Sequence, residues 1–190
     1  MWSNSCCSAE RRRLWLACLA ALALPPRAWC AGQPEQTEGW RALLPQARIL
    51  GEGDLRWFGL RIYHAALWSA VRPFDPAQPF ALQLRYYRRI SRARLVATSM
   101  EEIRRLSAAP IDSATLARWE ARLQASLTDV DEGDELTGVF EPGHGMRLYH
   151  GARLLGDIAD PALARAFFGI WLHPDSRDTA LRRRLLGAAP

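Results

Sequence analysis

The chain has 190 residues, a formal net charge of +5 at pH 7, and 25 basic residues that are all arginine. This length suits one ordinary domain with a real hydrophobic core. Four arginines lie in an N-terminal segment that we expect to be removed, so the remaining chain is only slightly basic. Nucleic-acid binding is therefore not predicted.

The first 30 residues have the three parts of a secretory signal peptide. Arg11–Arg13 form the positive region, Leu14–Leu24 form the apolar region, and Ala-Trp-Cys at residues 28–30 is a small-x-small cleavage site. The apolar run is shorter than the about 20 residues that span a bilayer. We predict a cleaved signal peptide over residues 1–30, export to the periplasm or beyond by a Sec or twin-arginine route, and no membrane anchor after cleavage.

The same segment holds all four cysteines, namely Cys6, Cys7, Cys18 and Cys30. Their removal excludes disulfides, thiol catalysis and zinc–thiolate sites. The four histidines have no metal-ligand spacing, so neither a metal nor another cofactor is predicted. The chain also lacks a P-loop, a dinucleotide fingerprint and a Gly-x-Ser-x-Gly element, which leaves nucleotide and hydrolase chemistry unsupported.

The exported chain is predicted to begin with a flexible segment over residues 31–46, followed by one domain over residues 47–190. The domain starts with three segments that have strand-like alternation or composition: Arg48–Phe58, Leu60–Val71 and Phe80–Ile90. A tight turn at Gly59 makes the first two a hairpin.

Two amphipathic helices follow these strands. Ser91 caps the first helix, and either Asp112 or Ser113 begins the second after Pro110. Inward-facing positions recur at steps of one turn: Leu95, Val96, Ser99, Ile103 and Leu106, then Leu116, Trp119, Leu123 and Leu127. Both helices therefore need an apolar surface on which to pack.

Three short strands come next, predicted at Glu135–Phe140, Met146–His150 and Arg153–Ile158. Asp160 and Pro161 open a third helix, and Asp178–Leu186 predicts a short last one. Strands at both ends of the domain with helices between them predict an α+β fold, an antiparallel sheet with helices on one face.

Three of these segments resemble the chalcone isomerase-like family: Gly51–Trp68, Leu136–Ile158 and the helix from Asp160 to Leu172. The resemblance covers about Gly51–Leu172. It implies an open-faced β-sandwich, in which helices cover a large antiparallel sheet and a ligand cleft lies between the layers. It leaves open whether Phe58, Trp68 and Phe168 fill or line that cleft.

Arg56 and Tyr63 are the candidate ligand-binding residues. By spacing alone, Arg56 could be a surface residue on an edge strand and Tyr63 a core tyrosine. The resemblance implies more, because the family places a ligand-binding Arg after a Gly-x-Gly element such as Gly51-Glu52-Gly53. Related fatty-acid-binding proteins hold the acyl carboxylate with a Tyr at the position where chalcone isomerases have Thr. An Arg and a Tyr together suit a carboxylate.

The isomerases also place a Tyr and an Asn near the start of the helix after the third strand. Ser91–Glu101 contains neither, and Tyr86 and Tyr87 do not fit that register. The resemblance therefore predicts a non-catalytic protein that binds a small apolar carboxylate such as a fatty acid. Two alternatives stay open. One is an intramolecular lyase or isomerase that uses Arg56 and Tyr63. The other is an accessory protein with a vestigial cleft whose aromatic edge meets a membrane or redox partner.

Overall fold

The computed structural model describes residues 39–188. The predicted signal peptide and residues 31–38 lie outside the described residues, so cleavage and export stay predictions. Within residues 39–188, no helix is long and apolar enough to cross a bilayer.

Six antiparallel strands form one sheet in which each strand pairs with the next along the chain. They are β1 (Arg48–Trp57), β2 (Leu60–Ser69), β3 (Phe80–Tyr86), β4 (Glu135–Glu141), β5 (Gly145–His150) and β6 (Arg153–Ile158). The predicted strands are confirmed, most of them to within a residue or two. β3 is shorter than predicted, because Ile90 pairs with Val130 in an isolated bridge instead of extending the strand.

Four α-helices complete the fold: α1 (Arg92–Leu106), α2 (Ser113–Ser126), α3 (Pro161–Leu172) and α4 (Thr179–Leu185). Each begins after a side chain that accepts a hydrogen bond from the backbone N–H three residues further on. These caps are Ser91, Asp112, Asp160 and Asp178. The predicted helix starts are confirmed, and of the two starts left open for α2, Asp112 is the cap.

The helices lie on one face of the sheet. α1 packs against α2 and α3, α3 packs against β5, and α4 lies on β1. Because side chains alternate along a strand, every other residue of each strand points into this helical layer. The largest fully buried side chains there include Leu67, Met100, Ile103, Leu123, Met146 and Leu163. The predicted α+β class, with an antiparallel sheet covered by helices on one face, is confirmed.

The segment before β1 covers part of the opposite face. Trp40–Leu43 forms a 3-10 helix, and Trp40 is buried against Ala81, Val139 and Tyr149. The Trp40 ring meets the Trp68 ring edge-on, with the centroids 5.4 Å apart. Residues 39–46 therefore differ from the flexible segment predicted over 31–46, because burial of one large ring holds them on the sheet.

Gly51 has no room for a side chain, because α4 lies directly on β1. A Cβ there would lie 1.9 Å from the carbonyl oxygen of Arg184. We expect Gly51→Ala to lower the free energy of unfolding by about 1–3 kcal/mol, measured by urea denaturation. The control is Gly169→Ala in α3, where a Cβ meets nothing within 4 Å. It should instead stabilise the protein by about 0.5–1 kcal/mol. Equal stability of both variants would contradict this close packing.

Candidate ligand-binding cavity

A cavity of about 880 Å³ lies between the sheet and the helices. Its size is typical of ligand-binding pockets, which range from about 300 to 1,000 Å³. Leucine and phenylalanine side chains form much of its wall: Leu82, Leu84, Leu136, Leu148, Phe167 and Phe168. The fold therefore leaves an apolar space where the family resemblance implies a cleft.

The three aromatic residues whose place was left open have different environments. Phe168 is buried and lines the cavity. Trp68 belongs to the cluster around Trp40 on the opposite face of the sheet. Phe58 is 90% exposed at the turn between β1 and β2. Neither Trp68 nor Phe58 lines the cavity, so of these three residues Phe168 alone limits the cavity volume.

Tyr63 on β2 supplies a polar group to the cavity wall. Its hydroxyl oxygen accepts a hydrogen bond from Trp171 Nε1 on α3, at 2.8 Å. Burial raises the pKa of Tyr63 well above its ordinary value, so the phenol is neutral at physiological pH. Within residues 39–188 no acceptor is recorded for its O–H proton.

Tyr86 on β3 is a second phenol at the cavity, and the sequence interpretation set it aside. It is only 3% exposed, lines the cavity, and pairs with Tyr63 across β2 and β3. The two rings meet edge-on with their centroids 5.7 Å apart. Burial, with a smaller effect of Tyr63, raises the pKa of Tyr86. No hydrogen-bond partner of its hydroxyl is recorded in the described part of the chain.

Arg56 is exposed at the end of β1 and also lines the cavity. The preceding residue, Leu55, pairs with Tyr63 across the hairpin, whereas Arg56 pairs with Arg61 after a register irregularity. Arg56 and Tyr63 thus both line the same cavity, and their ligand-binding role stays a prediction. No hydrogen bond joins the two side chains, and Arg56 has no ion pair among the described residues.

Four more arginines line the cavity, and the sequence interpretation missed them: Arg88, Arg89, Arg94 and Arg177. Arg88 and Arg89 lie in the connection between β3 and α1, and Arg94 lies in the first turn of α1. The N-terminus of α1 adds a partial positive charge. Arg89 forms an exposed ion pair with Asp131, with 3.6 Å between the charged groups. Such surface ion pairs contribute little to stability. We call Arg56, Arg88, Arg89 and Arg94 the arginine rim.

Glu102 is a buried carboxylate further along α1, eight residues and therefore about 12 Å from Arg94. Its side chain is bonded to Arg105 at 2.8 Å and to Arg177. Arg177 also bonds Glu101 at 3.2 Å. Both glutamates and Arg177 line the cavity. Their charges compensate each other, whereas Arg56, Arg88 and Arg94 of the arginine rim have no ion pair among the described residues.

A second polar cluster lies on the opposite face of the sheet. Asp54 Oδ1 is 2.9 Å from His64 Nδ1, and Asp54 Oδ2 accepts a hydrogen bond of 3.0 Å from Arg61. Although partial burial opposes it, the hydrogen bonds from His64 and Arg61 hold the pKa of Asp54 below its ordinary value. Because Tyr63 faces the helices, its neighbour His64 faces away from the cavity. His64 is therefore not placed to act as a base there.

The cavity offers donors rather than a free general base. Among the described residues that line it, Glu101 and Glu102 pair with Arg177, and Asp178 caps α4. Thr98, Ser99 and the two phenols supply neutral hydroxyls. No group of three or more potential metal ligands occurs in residues 39–188. The arrangement suits holding an anion whose apolar part lies among the leucines and phenylalanines.

Two proteins and one family resemble this chain in sequence or in fold. An uncharacterized protein of Haemophilus influenzae is 27% identical over 139 residues, which are 73% of this chain and 67% of that protein. The crystal structure of an Arabidopsis thaliana fatty-acid binding protein superposes with a TM-score of 0.59 and 11% identity, over 75% of this chain and 87% of that chain. At so low an identity this likeness concerns the fold. The sequence profile of one family, described as chalcone isomerase-like, matches residues 54–187. The chain therefore belongs to the chalcone isomerase-like family.

Proposed function

We propose that this protein binds a fatty acid or a similar apolar carboxylate, without catalysis, in the cavity between sheet and helices. The observation that carries the proposal is a largely apolar cavity of about 880 Å³ with exposed arginines at its rim, of which Arg56 has no ion pair among the described residues. The fatty-acid binding named for the Arabidopsis protein supports the same ligand class.

The head group needs a charge partner and a second donor, because burial of an unpaired carboxylate is strongly unfavourable. Arg56 supplies a guanidinium with no partner among the described residues. Tyr63 supplies a neutral O–H whose oxygen already accepts from Trp171, and such a chain of hydrogen bonds strengthens the outer donor. We therefore assign the carboxylate to Arg56 and Tyr63, and the acyl tail to the apolar wall.

Ligand extraction tests the proposal directly. Organic extracts of the purified protein are expected to contain fatty acids by mass spectrometry, and the delipidated protein should rebind a long-chain fatty acid in calorimetry. Arg56→Ala purified in parallel should carry less ligand. If the wild type yields no acyl carboxylate and rebinds none, the accessory-protein alternative takes the place of this function.

The isomerase alternative predicts turnover, and we expect none. The cavity-facing side of α1 carries Arg94, Leu95, Thr98 and Ser99, with no Tyr or Asn to organise a phenol and a water for ring closure. Loss of absorbance of a hydroxychalcone should match the spontaneous background. An enzyme-dependent rate that Arg56→Ala abolishes would instead establish the isomerase.

Export is part of the proposal and rests on the positive, apolar and small-residue segments before Ala31. N-terminal sequencing of the protein from the extracytoplasmic fraction should start at Ala31 or one residue later. A mature protein that begins at Met1, or one that is recovered only from the cytoplasm, would be incompatible with this assignment.

A further inference from the structure

The turn between β1 and β2 exposes three large apolar side chains in four residues. Trp57 is 51% exposed, Phe58 is 90% exposed and Leu60 is 52% exposed. The rings of Trp57 and Phe58 meet edge-on, with the centroids 5.2 Å apart, so they form one apolar surface. We call Trp57–Leu60 the hairpin tip. Single exposed apolar residues are ordinary, but a contiguous group marks an interaction site.

The backbone conformation at the hairpin tip is unfavourable for Phe58. Phe58 has φ 47°, in the left-handed region that bulky side chains avoid, and Gly59 follows with φ 79°. Asn or Gly would suit the position of Phe58 better. Within residues 39–188, Phe58 is the one non-glycine residue with positive φ. The most exposed aromatic ring of the described chain thus occupies a backbone position that local stability does not favour.

The hairpin tip lies beside the arginine rim. Arg56 directly precedes the tip, and Trp57 itself lines the cavity. Tyr87 N donates to Ile62 O at 3.0 Å, so the chain after β3 runs alongside the tip end of β2 and carries Arg88 and Arg89 there. The acidic residue nearest in β1, Asp54, is paired with Arg61 at 3.0 Å. The apolar tip is therefore bordered by exposed arginines of the cavity wall, and of these Arg89 alone has an ion-pair partner, Asp131, among the described residues.

We propose that the hairpin tip and the arginine rim form a docking surface for an anionic phospholipid bilayer. Trp57, Phe58 and Leu60 enter the boundary between head groups and acyl chains, where aromatic rings are stable. The arginines contact lipid phosphates. Docking in this orientation turns the cavity opening towards the bilayer. The docking surface holds whether or not the cavity binds a fatty acid.

A second copy of this chain would fit the hairpin tip less well than a bilayer does. Three side chains on a projecting turn offer far less area than the about 800 Å² per partner that a stable interface buries. A bilayer needs no matching concave surface, and its phosphates complement the rim of arginines. The shape and the charge of this surface both favour lipid.

Vesicle sedimentation with the purified protein tests the proposal. We expect the protein to sediment with vesicles of phosphatidylcholine mixed with phosphatidylglycerol, more weakly with phosphatidylcholine alone, and less at high salt. Phe58→Asn should weaken sedimentation at least about tenfold, because it removes the most exposed ring, while thermal stability stays equal or rises. The control is Leu154→Thr, which removes another exposed apolar side chain from β6, at the other edge of the sheet, and should change nothing.

The arginine contribution has its own variants. Arg88→Gln and Arg89→Gln should each reduce binding to the anionic vesicles about fivefold, with little effect on neutral vesicles. The control is Arg165→Gln, an exposed arginine on α3 outside the cavity lining. Because Phe58 does not line the cavity, Phe58→Asn should bind free fatty acid as tightly as the wild type. Failure of vesicle binding is thus distinguishable from failure of fatty-acid binding.

Three outcomes overturn the docking surface. The first is that the protein sediments with neither kind of vesicle. The second is that folded Phe58→Asn sediments with vesicles as the wild type does. Analytical ultracentrifugation could also show a dimer that Phe58→Asn dissociates, in which case the tip is a contact between copies of this chain. Selective loss of sedimentation in Phe58→Asn, with an unchanged monomer, supports the proposal.

Discussion

Arg56→Ala should weaken the binding of a long-chain fatty acid by about 1.5–3 kcal/mol, roughly 10- to 150-fold, without unfolding the protein. The reason is that Arg56 has no recorded partner in the described structure, so its whole donor capacity is available to the ligand. Arg56 is exposed in the free protein, and water around it limits the loss. Titration calorimetry measures the affinity, and circular dichroism verifies the fold.

A comparison of acid with methyl ester isolates the head-group contact. The ester keeps the tail but carries no charge, so Arg56→Ala should affect its binding little. The loss of affinity from Arg56→Ala and the loss from esterification should therefore be strongly non-additive. Arg165→Ala controls for removal of an exposed arginine outside the cavity. Tyr63→Phe removes one hydrogen bond and should weaken binding by only about 0.5–1.5 kcal/mol. Equal losses for acid and ester with Arg56→Ala would place the carboxylate elsewhere.

Chain length should change the affinity even more than Arg56 does. Each buried methylene contributes about 0.8 kcal/mol, so shortening a saturated acid by about six methylenes should weaken binding by about 5 kcal/mol, roughly four-thousandfold. The affinity should stop rising once the tail fills the cavity, because further methylenes remain in water. Competition measurements below the critical micelle concentration test this series. An affinity independent of chain length would show that the tail lies outside the cavity.

Several elements of this fold could be predicted because their signals are local. Ser91, Asp112, Asp160 and Asp178 each cap a helix through a bond to the backbone three residues away, which composition and spacing reveal. The hairpin around Gly59 likewise depends on a few adjacent residues. The candidate site was partly predictable, since the family resemblance pointed to Arg56 and Tyr63 and both line the cavity.

Other features required the tertiary structure. The segment containing Trp40 has no periodic pattern, and its burial arises only because β3, β4 and β5 present a surface for the ring. Ile90 does not extend β3. It forms an isolated bridge with Val130, from which it is separated in the sequence by α1 and α2. Neither outcome follows from the local alternation of side chains, because both depend on which surfaces meet.

By itself, the sequence determined the order and type of the secondary-structure elements, the helix caps, the turns and the family. Only the tertiary structure decided which polar groups meet at the cavity. The Trp171–Tyr63 hydrogen bond joins residues 108 positions apart, and the Glu102–Arg177 pair joins α1 to the segment before α4. The arginine rim collects residues from β1, α1 and the connection before α1. The physical reason is that caps and turns are contacts within a few residues, whereas a cavity arises from the packing of whole elements.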